Sequence, residues 1–171
     1  MRIRAYRWPW LVALAALLAI VALPAATLAA DFGQPVPGQR VYDRAGALTA
    51  DEVARIEERA AAVEAAGSPV VVFLQARDAD YDKTVADGRD LMEAWDIQSA
   101  PDARNGIVIF FNLKPGDLQH GDYAVIAGRS LVDGNLPRYE LNRIADDMQP
   151  VLKGGDITGA TILALDAIEH N

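Results

Sequence analysis

Asp80, Tyr81, Asp82, Lys83 and Thr84 spell a DxDxT pattern. In some phosphotransferases the first carboxylate of such a pattern is the nucleophile, assisted by a magnesium ion and by a lysine that balances the phosphate charge. That chemistry needs the carboxylate on the last residue of a strand. Here Gln75, Ala76, Arg77, Asp78 and Ala79 separate Asp80 from the apolar run Val70 to Leu74, so the spacing favours Asp80 or Asp82 as a helix cap. Asp78, Asp80 and Asp82 also resemble the opening of a calcium-binding helix-loop-helix. Its sixth and twelfth positions call for glycine and glutamate, and the residues here are Lys83 and Arg89.

Other chemistries are equally short of parts. The chain has no cysteine, which excludes disulfides, thiolate metal sites and a cysteine nucleophile. Its two histidines, His120 in a turn and His170 beside the chain end, are not placed to activate Ser68, Ser99 or Ser130. Oxygen donors remain. Asp43, Asp102, Asn105 and Asp133 stand in loops, where carboxylates and carbonyls hold hard cations such as calcium, although the same residue types also form ordinary turns.

The elements that position these residues are legible in outline. Arg2, Arg4 and Arg7 precede an apolar run from Trp8 to Ala30, the layout of an export signal or of an N-terminal anchor. Pro24 and the small residues of "TLAAD" favour cleavage after Ala29 or Ala30. Either fate exports the rest of the chain. Residues 31–40, with two prolines and two glycines, read as a tether, and residues 41–171 as one domain. The formal net charge of −8, more negative still without the leader, argues against nucleic acid as a partner.

Within the domain, Thr49 and Glu52 form a capping box, and Val53, Ile56, Ala60 and Val63 keep helical spacing until Gly67. "PVVVFLQ" and "NGIVIFFNL" read as strands buried on both faces, flanking a second helix that contains Leu91 and Trp95. "KPGDLQHGD" is too short and irregular for a crossover helix, so "YAVIAG" returns antiparallel. Two helices, "LPRYELNRIADDMQPVL" and "DITGATILALDAIE", finish the chain. The expected fold is α/β, a three-layer α/β/α sandwich with a mixed central sheet. In that topology the 80–84 stretch lies on the rim at the strands' carboxyl ends. Asp102, Asn105 and Asp133 meet on the opposite rim.

Taken in order, "VYDRAGALTADEVARIE", "VVVFLQ", "LMEAWDIQ", "RNGIVIFFNL", "YAVIAGRSL" and "MQPVLKGGDITGATILALDAI" resemble the TPM domain family across nearly all of residues 40–169. The resemblance implies an α/β/α domain outside the cytoplasmic membrane or in the thylakoid lumen. Members are often membrane-tethered, and some serve as accessory proteins of membrane complexes. Some bind calcium or another divalent cation, and a plant member is described as an acid phosphatase. The implied reading is an exported, non-catalytic module of a membrane or envelope assembly. The alternative is a metal-assisted phosphatase of phosphomonoesters. Asp43 and Asn105 match family motifs. After the third strand this chain departs, with Gly128, Arg129, Ser130, Leu131, Val132 and Asp133 where a Gly-x-Gly-Leu-Glu motif is usual. Asp133 stands in for the glutamate at a one-residue offset, while Arg129 and Arg138 add positive charge.

Overall fold

Helix α1, Ala50–Ala65, starts where the capping box places it. The Glu52 amide donates to Thr49 Oγ1 at 3.3 Å and the Thr49 amide donates to Glu52 Oε2 at 2.8 Å, so two amides with no helical acceptor are satisfied reciprocally. Beyond its C-cap Ala66, Gly67 turns the chain at φ +110. The computed structural model describes residues 32–171; the leader, residues 1–30, with its cleavage and anchor readings, lies outside the described residues.

Among the described residues four strands form one sheet in chain order: β1, Val41–Asp43; β2, Val70–Ala76; β3, Ile107–Lys114; and β4, Asp117–Ala127. The first three run parallel and β4 returns antiparallel to β3. The expected mixed sheet and hairpin are therefore present. β1 is an addition, since three residues are too few to show a period. The hairpin is tighter than the sequence suggested. Pro115 and Gly116 make the turn, with Gly116 at φ +82, and β4 starts at Asp117. A register irregularity at Leu113/Lys114 absorbs the polar stretch that reads as loop.

Helix α2, Tyr81–Ala94, packs on β3 and β4 from one side; α1, α4 (Arg138–Lys153) and α5 (Ile157–Glu169) pack together on the other, and a single turn α3, Arg129–Val132, follows β4. Strand residues sort by parity, as a pleat requires. Val72, Leu74, Ile107, Ile109 and Phe111 join Ile56, Ile144, Met148 and Leu165 in the larger core. β1, β2 and β3 advance in one direction across the sheet while α1 and α2 cover opposite faces, so the two crossovers have opposite hands, and one departs from the usual right-handed rule.

One helix cannot cover a four-stranded face, and aromatic side chains complete it. Phe73 stacks on Phe110 with centroids 5.3 Å apart, Phe32 meets Phe73 edge-on at 5.6 Å, and Trp95 meets Tyr42 at 4.6 Å. Trp95 Nε1 donates to the Gly33 carbonyl at 2.9 Å. Residues 32–40 form no helix or strand, yet Phe32 is buried. The segment read as a tether thus places its first described residue, Phe32, in the core. Among the described residues no helix is long and apolar enough to cross a membrane.

Candidate functional site

The residues singled out in the sequence stand on two rims of the sheet. Asp43 and the 80–84 stretch lie at the carboxyl ends of the parallel strands. Asp102, Asn105 and Asp133 lie at the other end, where β3 begins and β4 exits. Asp43 is therefore parted from the other three by the length of the sheet.

At the carboxyl rim, Asp80 is the N-cap of α2, its Oδ1 accepting the Lys83 amide at 2.8 Å. Thr84 Oγ1 donates to the Asp80 carbonyl at 2.9 Å and accepts from Asn112 Nδ2 at 3.0 Å. The polar groups of "DYDKT" start a helix, as the spacing favoured. Asp43 accepts the Ala47 and Leu48 amides at 3.1 and 2.8 Å, closing the turn from β1 into α1. The sequence reading passed over Asp87. This fully buried carboxylate accepts from Asn112 Nδ2 at 3.1 Å and Arg77 at 3.2 Å, and it pairs with Lys83. Gln75 Nε2 in turn donates to Asn112 Oδ1 at 2.7 Å. The network binds β2, β3 and α2 together under the rim. Its one signal in the sequence was an asparagine inside the apolar run "IVIFFNL".

At the amino rim, Asn105 acts as a staple. Its Oδ1 accepts the Ser99 amide at 3.0 Å, and its Nδ2 donates to the Gly67 carbonyl at 2.8 Å and to Ser99 Oγ at 2.9 Å. The glycines of the neighbouring motifs allow backbones to touch. The Gly128 amide donates to the Gly106 carbonyl at 2.8 Å. A Cβ on Gly106 would lie 1.7 Å from the Ile97 carbonyl oxygen, and one on Gly128 would lie 2.1 Å from that of Arg104. Ser130 Oγ donates to the Ala103 and Arg104 carbonyls at 2.8 and 2.9 Å, tying α3 to the loop before β3. Asp102 stands exposed at φ +64 in that loop. Asp133 caps α3 and faces Arg129 Nε at 3.4 Å.

This arrangement does not fit a divalent cation. Both amide hydrogens of Asn105 and one face of its oxygen are engaged, and the Asp133 carboxylate already faces a guanidinium. Calcium takes six to eight oxygen ligands. Among the described residues no group of three or more His, Asp or Glu side chains is placed to hold a metal ion.

The same corner opens instead into a cleft of about 650 Å³ along the free side of β4. Tyr81, Val85 and Arg89, four residues apart, form a stripe of α2 along one wall. Arg138, Leu141 and Asn142 of α4 form the other, and Val125, Ile126 and Ala127 make the floor. Arg129 and Asp133 close the end next to β4's exit. The side chains of Arg89 and Arg138 make no hydrogen bond or ion pair with another described residue, and among the described residues the Arg129 side chain meets Asp133 alone. Three arginines thus gather on a chain of net charge −8. The cleft's electrostatic preference is for an anion. Farther along β4, Tyr123 donates its hydroxyl to the Ala145 carbonyl at 2.8 Å, and burial raises its phenol above the ordinary value.

Comparison with known proteins agrees with this architecture. The N-terminal domain of a protein from P. gingivalis, solved by NMR, is 21% identical with a TM-score of 0.58, over 78% of this chain and 81% of that one. The N-terminal domain of a Corynebacterium glutamicum protein is 14% identical with a TM-score of 0.54, over 81% and 83%. At such identities the likeness is one of fold. Among curated proteins there is no match. The family model described as the TPM domain matches residues 41–171. With the ordered motifs, the parallel strands closed by an antiparallel hairpin and helices on both faces, the chain belongs to the TPM domain family.

Proposed function

We propose that this chain is an exported, non-catalytic accessory domain that docks on a protein of a membrane or envelope assembly through the cleft beside β4. One observation carries the reading. Arg89, Arg129 and Arg138 converge on that cleft, and Asp133, which faces Arg129, is the one carboxylate among the described lining residues, while Asn105 and Ser130 nearby are engaged in holding the fold. The leader sequence supports export, and the family supports an accessory role. Calcium, which the resemblance implies, enters this reading only as a ligand to be tested, because Asp43 and Asn105 serve the structure and Asp133 faces Arg129.

The serines and the histidines that the sequence offered for hydrolysis are not among the residues lining the cleft. Ser99 and Ser130 bond to neighbouring main-chain and side-chain groups, and His120 stands on the β3–β4 hairpin beside Asp117. A second reading, the metal-assisted phosphomonoesterase, draws on the same arginines, which suit a phosphate.

Two measurements separate these readings. The purified protein is offered an aryl phosphate with calcium, magnesium or zinc; no turnover above the metal-containing buffer is expected. Turnover that vanishes in Asp102→Ala and Asp133→Ala proteins would install the phosphatase reading instead. In cells, a photo-crosslinking residue at Val85, inside the cleft, should trap an envelope protein. The same residue at Glu58, on the exposed face of α1, should not. Equal yields from both positions would reject the cleft as the docking face.

A further inference from the structure

Among the described residues β4 is an edge strand, paired with β3 alone, and its register shows which of its backbone groups face away from β3. The Gly128 amide bonds to the Gly106 carbonyl. In an antiparallel ladder bonded pairs alternate with unbonded ones. Ala124 and Ile126 therefore turn their N–H and C=O groups toward Phe110 and Val108, their register partners. Tyr123, Val125 and Ala127 turn theirs outward. Val125 and Ala127 form the floor of the cleft. An open row of main-chain donors and acceptors is a template for another strand.

The walls select what that strand carries. α2 runs alongside β4 in the same direction, since both start at the carboxyl rim, and α4 runs back the other way. Arg89, Arg129 and Arg138 consequently gather at the Ala127 end, and Tyr81 lies toward the Tyr123 end. Tyr81 is 54% exposed, and Tyr139, next to Arg138, is 70% exposed; tyrosine and arginine are the residue types that anchor interfaces. A second copy of this chain would bring one set of arginines against the other, so like charge opposes it.

We infer that the cleft binds an extended peptide segment by strand addition to β4, with the segment's acidic residues lying over Arg89, Arg129 and Arg138. This deepens the docking reading and rests on it. The main chain of the segment extends the sheet through the outward groups of Val125 and Ala127. Successive side chains of the segment point alternately to the α2 wall and the α4 wall, and the carboxylates choose its register.

The test uses an eight-residue peptide of alternating valine and threonine ending in two aspartates. Its partners are the same peptide ending in two lysines, an acidic version N-methylated at alternate residues, inorganic phosphate, and phosphatidylglycerol vesicles. Fluorescence or calorimetric titration should show the acidic peptide binding with Kd below about 1 mM and the lysine peptide at least tenfold weaker. N-methylation on the bonding edge should remove binding. Arg89→Ala and Arg138→Ala should each weaken it about three- to tenfold. Amide exchange at Val125 and Ala127 should slow on binding, while Ala124 and Ile126, already paired, should change little.

The inference falls if no acidic peptide binds, if methylated and plain peptides bind equally, or if phosphate or vesicles alone reproduce the effect at equal concentration. Crosslinks at Val85 without peptide binding would leave docking standing and remove strand addition. Failure of both would remove the docking reading as well.

Discussion

Replacing Asp87 by alanine should destabilise the domain several-fold more than replacing Asp80. Asp87 is fully buried and collects donors from Asn112, Arg77 and Lys83. Its loss leaves one buried Asn112 hydrogen without an acceptor, at about 1–3 kcal/mol. The two cations are 43% and 48% exposed and rehydrate readily, so their pairing adds only about 1 kcal/mol. The total is about 2–4 kcal/mol. At an unfolding entropy of about 2.1 cal/mol/K per residue over a domain of about 140 residues, this lowers Tm by about 7–14 °C. Asp80→Ala removes one exposed cap bond, worth about 1 kcal/mol or about 3 °C. Thermal unfolding of both variants at pH 7, followed by circular dichroism, makes the comparison. Equal shifts, or an Asp87→Ala shift under about 2 °C, would refute the assignment of Asp87 as the anchor of this rim.

Further expectations concern the amino rim and pH. Asn105→Ala should lower Tm even with chelator present, by about 1–2 kcal/mol for the three bonds it loses; an effect confined to calcium-loaded protein would make Asn105 a metal ligand. Calcium at millimolar concentration should move Tm of the unaltered protein by less than about 1 °C, because binding to the native state alone must raise it. Gly106→Ala should cost more than about 3 kcal/mol or prevent folding, since the new Cβ would lie 1.7 Å from the backbone oxygen of Ile97; near-native melting would show that the loop yields. Burial raises the Tyr123 phenol from 10.0, so the native state holds that proton more tightly. The resulting stability is complete below pH 10 and is lost as pH rises through the raised folded value, and Tyr123→Phe should flatten this alkaline limb of Tm against pH.

Much of the chain is legible without its tertiary structure because the controlling interactions are local. Thr49 and Glu52 are three residues apart and cap each other; Asp80 caps through an amide three residues on. The unbroken apolar runs at Val70 and Ile107 require burial on both faces, which demands helices on two sides of a sheet. The hairpin follows from the shortness and turn content of the link after β3. The separation of the two rims follows from strand direction, which is how Asp102, Asn105 and Asp133 were placed apart from Asp80.

The remaining features depend on contacts between residues distant in sequence. Three residues at Val41 have no period of their own, and they become a strand only by pairing with Val72, Phe73 and Leu74. Phe32 looks like part of a tether until Phe73 and Phe110 supply the surface that buries it. Asp87 and Asn112 are ordinary polar letters until α2 lies over β3, where neither can reach water. Asn105 and Asp133 match the residue types of a cation site, but their side-chain partners make one a staple and set the other against Arg129. Arg89, Arg129 and Arg138 come from a helix, a turn and another helix. Sequence alone therefore determined the element types, their local caps and the direction of the central strands, through short-range hydrogen bonds and hydrophobic periodicity. Which strand was left as an edge, and which charges gathered beside it, was decided by the packing of helices on opposite faces, because only that packing brings distant segments within reach of one another.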